Sequence, residues 1–72
     1  MNRTWTILLE RTPHNWAASA PDLPGCVATG RTREATLRNM REAIAMHIRG
    51  LLEDGQPVPK AATHAESLRV AA

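Results

Sequence analysis

Hydrophobic and polar positions alternate in twos at the start of the chain and recur at helical spacing in its middle. From Thr4 to Glu10, Trp5, Ile7 and Leu9 fall on one face and Thr4, Thr6, Leu8 and Glu10 on the other. With the aromatic and β-branched content, that pattern predicts a strand. Arg11-Thr12-Pro13-His14-Asn15 reads as a turn, marked by its Pro and Asn. Trp16 to Ala20 predicts a second strand antiparallel to the first, and Cys26 to Thr29 a third, with Val27 its clearest β residue. The three make an antiparallel meander. Between the second and third lies Ala20-Pro21-Asp22-Leu23-Pro24-Gly25-Cys26. Its prolines fix φ, remove donors and extend the residues before them, so the stretch predicts a tight, rigid connection.

Gly30-Arg31-Thr32 ends the sheet and opens a helix, with Thr32 as N-cap and Glu34 in the first turn, where a negative charge suits the helix dipole. Leu37, Met40, Ile44, Ile48 and Leu51 recur at steps of three and four and form one apolar stripe. Arg38, Arg41, Glu42 and Arg49 fall mostly off it. Asp54-Gly55 stops the helix, with Gly55 at C′, and Pro57 and Pro59 forbid continuation. Gly50 inside the helix costs roughly 1 kcal/mol relative to Ala. It reads either as a close approach to the sheet or as a tolerated surface residue. Gln56 to His64 reads as an extended connection. Ser67 to Ala71 alternates, with Leu68 and Val70 on one face, and predicts a fourth strand; a helical tail from Ala61 to Val70 is the rival, so residues 61–72 stay open between the two. The fold class expected is α+β, β-β-β-α-β: one antiparallel-meander sheet with a single helix packed on one face.

A chain of 72 residues makes one domain with a thin core. It has two Trp, no Phe and no Tyr, so aliphatic residues must fill that core. A sheet face left bare by so small a core favours self-association. Nine Lys/Arg against seven Asp/Glu leave a net charge of +2, spread along the chain, which does not by itself indicate nucleic-acid binding. The lone Cys26 makes no internal disulfide, which fits a reducing cytoplasm. No apolar run is long enough to span a membrane, and the N-terminus lacks the apolar core of a signal peptide.

The chemistry of catalysis is sparse. Glu10, Asp22, Glu34, Glu42, Glu53, Asp54 and Glu66 are scattered, and none sits mid-strand where paired acid–base or two-metal chemistry needs it. His14 with Cys26 is the nearest thing to a metal pair, and core packing is the better reading of Cys26. His47 reads as a helix-edge packing residue. No nucleophile with a His partner and no glycine-rich phosphate loop is present. Neither an enzyme nor a cofactor or metal site is expected. Trp5 and Trp16 read as core packing ahead of base stacking.

The run Trp16-Ala17-Ala18-Ser19-Ala20-Pro21-Asp22-Leu23-Pro24-Gly25-Cys26-Val27-Ala28-Thr29-Gly30 resembles the second strand, hairpin and third strand of HicB-type antitoxins. The resemblance continues through Thr32, Glu34, Leu37, Asn39 and Glu42-Ala43-Ile44, then Gly55 and Pro59, and covers roughly residues 4 to 60. It departs at Thr36, where the family usually has Ala, which slightly weakens the helix, and at Glu34-Ala35, where the family often has an acidic pair. Full-length members carry a C-terminal DNA-binding domain for which this sequence has no room, so residues 1–72 are expected to be a single HicB-like domain and direct DNA binding is not expected.

The resemblance implies a domain like a truncated ribonuclease H fold without its catalytic carboxylates, assembled as a homo-oligomer, dimer or higher. It implies a HicA-type toxin as partner, a small basic mRNA-cleaving protein whose site the antitoxin covers. Asp22 and Leu23, on the hairpin, and Glu34 and Glu42, on the helix, are the residues expected to meet it, since complementary charge speeds association with a basic protein. A toxin-free oligomeric adaptor or regulatory protein is the alternative. A nucleic-acid binder using Arg31, Arg33, Arg38, Arg41 and Arg49 would show salt-dependent affinity; a solvated helix face explains those arginines more simply. A minimal nuclease of ribonuclease H type lacks the clustered acids it would need.

Overall fold

A computed structural model describes residues 3–71. Three strands, β1 (Leu8–Arg11), β2 (Trp16–Ser19) and β3 (Val27–Gly30), are followed by one helix, α1 (Arg33–Glu53). The strands form one antiparallel sheet in the order β1-β2-β3. Leu9 faces Ala18, which faces Ala28, and these positions point toward the helix. The helix packs on β3 and β2. Its Asn39 amide donates to the Thr29 carbonyl at 2.8 Å, tying it to the last strand.

Each connection has a local cause. In the β1–β2 turn the Thr12 hydroxyl accepts from the backbone N–H of His14 and Asn15 and donates to the Asn15 side chain at 2.7 Å. The Ala20–Cys26 stretch is two successive turns. Leu23 N–H donates to the Ala20 carbonyl and Cys26 N–H to the Leu23 carbonyl, each at 3.0 Å, and each turn has a proline as its second residue. Gly25, at φ 82°, supplies the left-handed residue of a type II turn. Together they turn Leu23 inward, where it is fully buried.

The helix begins as its sequence predicts. Thr32 is extended and its hydroxyl accepts from the Ala35 N–H at 3.0 Å. It ends in a Schellman motif: Gln56 N–H reaches the Leu51 carbonyl, Gly55 N–H the Leu52 carbonyl, and Gly55 takes φ 69°. A methyl group at Gly50 would meet nothing within 4 Å, so this glycine is a tolerated surface residue and no close approach depends on it. Thr36, in contrast, is fully buried, and its hydroxyl donates to the Thr32 carbonyl at 2.7 Å. Its departure from alanine places a polar side chain under the sheet, against Gly30, where it is hydrogen-bonded. Ala18, Ala20, Leu23, Cys26 and Met40 make the buried core, with Trp5, Ile7, Leu9, Ala28, Ala43 and Ile44 packed on it.

Two expectations change. The first strand is shorter at its start, because β2 ends at Ser19, opposite Leu8, and the chain beyond it turns into the proline loop. Residues 4–7 therefore have no ladder partner, although Trp5 and Ile7 still pack on the core as the alternation requires. The fourth strand over Ser67–Ala71 does not form, and neither does the rival helix; among the described residues, 56–71 are irregular, and Ala72 lies outside them. Leu68 and Val70 are the large apolar side chains at the end of that stretch, and no strand among the described residues pairs with them: they are 86% and 78% exposed. The observed order is β-β-β-α.

Candidate partner-binding surface

The hairpin loop and the tail are joined by one carboxylate. Oδ2 of Asp22 accepts from the backbone N–H of Ala62 and Thr63 at 3.1 and 3.0 Å, and Oδ1 accepts from the Thr63 hydroxyl at 2.8 Å. The Thr6 hydroxyl donates to the Thr63 carbonyl at 2.6 Å. Thr63 is thus held from both sides, and the chain leaving the helix is returned to the sheet. The Thr63 N–H, with the Thr63 hydroxyl, the Ala62 N–H and nearby His64 adding to it, holds the Asp22 carboxyl below the ordinary carboxylate range.

Of the four residues expected to face a partner, the structure leaves two free. Leu23 is a core residue and not a surface one, because the double turn points it inward. Asp22 is at the surface, but its oxygens are engaged by the tail. Glu34 and Glu42 are exposed on the helix, about 12 Å apart along its axis. The exposed Arg38, Arg41 and Arg49 share that side of the helix, so it is a mixed-charge surface and not a basic stripe.

A groove of about 320 Å³ lies between the unpaired residues before β1 and the helix. Trp5, Ile7, Leu37, Met40 and Ile44 form its walls, and the exposed Arg3 and Arg41 its charged edge. The sheet is too narrow to cover the whole apolar stripe of the helix, which leaves Leu37, Ile44, Ile48 and Leu51 only half-buried. At the opposite end of the sheet, the Arg11 guanidinium lies 5.9 Å from the Trp16 ring centre, within cation–π range.

Sequence reasoning missed the anchor at Thr63, the groove and the Gly30–Thr36 contact. Thr63 carried no signal, since its role depends on a tail path that only tertiary structure sets. The groove was foreshadowed by a stripe broader than three short strands can cover. No group of three or more His, Cys, Asp or Glu side chains converges among the described residues. His14, in the β1–β2 turn, lies at the opposite end of the sheet from Cys26. Burial pushes the Cys26 thiol pKa up, as for a packed hydrophobe and not a nucleophile. No helix among the described residues is long and apolar enough to cross a membrane.

A three-stranded meander backed by one helix, with a proline-locked hairpin between its second and third strands, defines a small α+β domain. The sequence model for the HicB_like antitoxin of bacterial toxin-antitoxin system matches residues 5–71, and the chain belongs to this family. It is 39% identical over 56 residues to an uncharacterized 14.9 kDa protein of Haemophilus phage HP1, covering 78% of this chain and 42% of that one. It is 40% identical over 57 residues to a UPF0150 protein of Synechocystis, covering 78% of this chain and 72% of the other. Among solved structures, a chain of a HicA3 and HicB3 toxin-antitoxin complex superposes with a TM-score of 0.72 at 30% identity, over 83% of this chain and 70% of that chain.

Proposed function

We propose that this protein is an antitoxin that binds a HicA-type mRNA-cleaving toxin and covers its active site, in the cytoplasm and without catalysing a reaction of its own. The observation that carries this reading is the fold match, at 30% identity, to a chain of a toxin–antitoxin complex. Membership of the HicB-like family supports it. The geometry suits the task. Two hydrogen-bonded turns and a doubly capped helix hold the surface in one shape before a partner arrives, which lowers the ordering cost of binding. Glu34 and Glu42 are the exposed carboxylates that would meet a basic toxin, while Asp22 and Leu23 act indirectly by fixing the hairpin. The protein works as a homo-oligomer.

Co-expression with a HicA-type toxin in a growth-rescue assay, alongside calorimetry of the purified pair, tests the reading. Rescue with a stoichiometric complex is expected. The Glu34→Lys/Glu42→Lys double variant should weaken binding about tenfold, chiefly through slower association at low salt. Absence of both binding and rescue across several such toxins overturns the proposal in favour of a toxin-free adaptor.

A further inference from the structure

The end of the sheet that carries the β1–β2 turn gathers cations. Register sets Arg11 opposite Trp16 and Trp16 opposite Gly30, so Arg31, next after Gly30, comes to the same end. Arg11, His14 and Arg31 are exposed, and all three line one hollow of about 120 Å³. No carboxylate lines it. It is well below the roughly 300 Å³ at which pockets for drug-sized molecules begin, and suits a group the size of an ion.

Two features hold these donors in place. The Arg11 guanidinium lies 5.9 Å from the Trp16 ring centre, a contact that restrains a long side chain. The turn itself is locked by Thr12, whose hydroxyl accepts from the His14 and Asn15 N–H groups and donates to Asn15 Oδ1 at 2.7 Å. Because that oxygen is already engaged, Asn15 brings its NH₂ donor to the hollow, and the His14 imidazole carries an N–H in either charge state. The side chains around the hollow thus offer two guanidinium forks, an imidazole and an amide. We propose that this hollow binds a phosphate monoester, with Arg11 and Arg31 clasping its oxygens and His14 and Asn15 completing the shell. A carboxylate has only a pair of oxygens to share between two forks, whereas a monoester has a third oxygen and about two negative charges near pH 7. A small phosphorylated molecule and the phosphorylated end of an RNA present the same chemistry. The site uses neither Glu34 nor Glu42, so it is independent of the antitoxin reading.

Amide NMR of the full chain, titrated with inorganic phosphate at constant ionic strength against chloride, tests this. Saturable shifts are expected at residues 11–16 and 31. Arg11→Gln/Arg31→Gln should weaken binding at least about tenfold, the loss expected on removing charge-assisted hydrogen bonds from two guanidiniums. Arg31→Lys, which keeps the charge and loses the fork, should fall between the double variant and the wild type. Arg49→Gln removes the same charge elsewhere and should leave the affinity unchanged. Far-UV circular dichroism confirms that each variant is folded. Acetate should bind about tenfold more weakly than phosphate. Adenosine monophosphate and a short oligoribonucleotide with a 5′-phosphate separate the sources: tighter binding of the oligoribonucleotide assigns an RNA end, and equal binding a small molecule. The same oligoribonucleotide with a 5′-hydroxyl should lose the shifts; if it binds as tightly, the contact is to backbone diesters and the monoester assignment falls. Absent or unsaturable shifts, acetate binding as tightly as phosphate, or an affinity unchanged in Arg11→Gln/Arg31→Gln overturns the site.

Discussion

Gly30 and Thr36 meet so closely that the last residue of the sheet has to be glycine. A Cβ at position 30 would lie 2.6 Å from the Thr36 hydroxyl and 2.7 Å from its backbone nitrogen. Gly30→Ala should destabilise the domain by about 1–3 kcal/mol in urea unfolding. Combining it with Thr36→Ala should not rescue it, because the backbone atoms still clash. Asp22 makes a different prediction, from its titration. Its folded pKa is depressed, so the contribution of the anchor is complete above the unfolded value, around pH 4, and is lost as pH falls through the lower folded value. Amide exchange at Ala62 and Thr63, taken relative to the intrinsic rate at each pH, should become fast as pH falls below about 4. Asp22→Ala should show that fast exchange at neutral pH, with the helix unaffected.

At the scale of elements, the helix was the most legible part of the sequence. Thr32, Glu34, the apolar stripe and Gly55 each state a local rule, and the structure obeys all of them. Gly50 was the ambiguous position, and open space around it decides the matter. Gly50→Ala should therefore stabilise the protein by roughly 0.5–1 kcal/mol, seen as a higher urea midpoint. Thr32→Ala should cost about 1 kcal/mol by the same measurement. The strands were legible in number and order but not in length, because the end of a strand depends on what its neighbour does. Residues 4–7 carry strand-like alternation yet lose their partner where the proline loop begins. The tail shows the converse limit. Its alternation at Leu68 and Val70 encodes a preference for pairing but not where the partner lies.

At the scale of the molecule, stability rests on few side chains. Leu23 and Met40 are the largest apolar groups fully buried. A domain of this size has a total stability on the order of 5 kcal/mol, and Leu23→Ala should remove about 2–5 kcal/mol of it. Circular dichroism of that variant should show a population partly or wholly unfolded at room temperature. The candidate site was less legible than the fold for the same reason. The hairpin stood out in the sequence through Pro21, Pro24 and Gly25, but whether Leu23 faced solvent depended on the sheet and helix that enclose it. Glu34 and Glu42 were readable as exposed because a helical period alone assigns their side.

The Asp22–Thr63 anchor also bears on the order in which the chain folds. The hairpins and the cap contacts join neighbours in sequence, whereas the anchor joins residues 40 and 41 positions apart and the Thr6 bond spans 57. Long loops close late, since their entropy must be lost before their contacts form. The sheet and helix should thus pass the transition state with the tail still loose. In stopped-flow measurements Asp22→Ala should leave the refolding rate unchanged and speed unfolding. The anchor would then govern how long the native state lasts, and not how quickly it is reached.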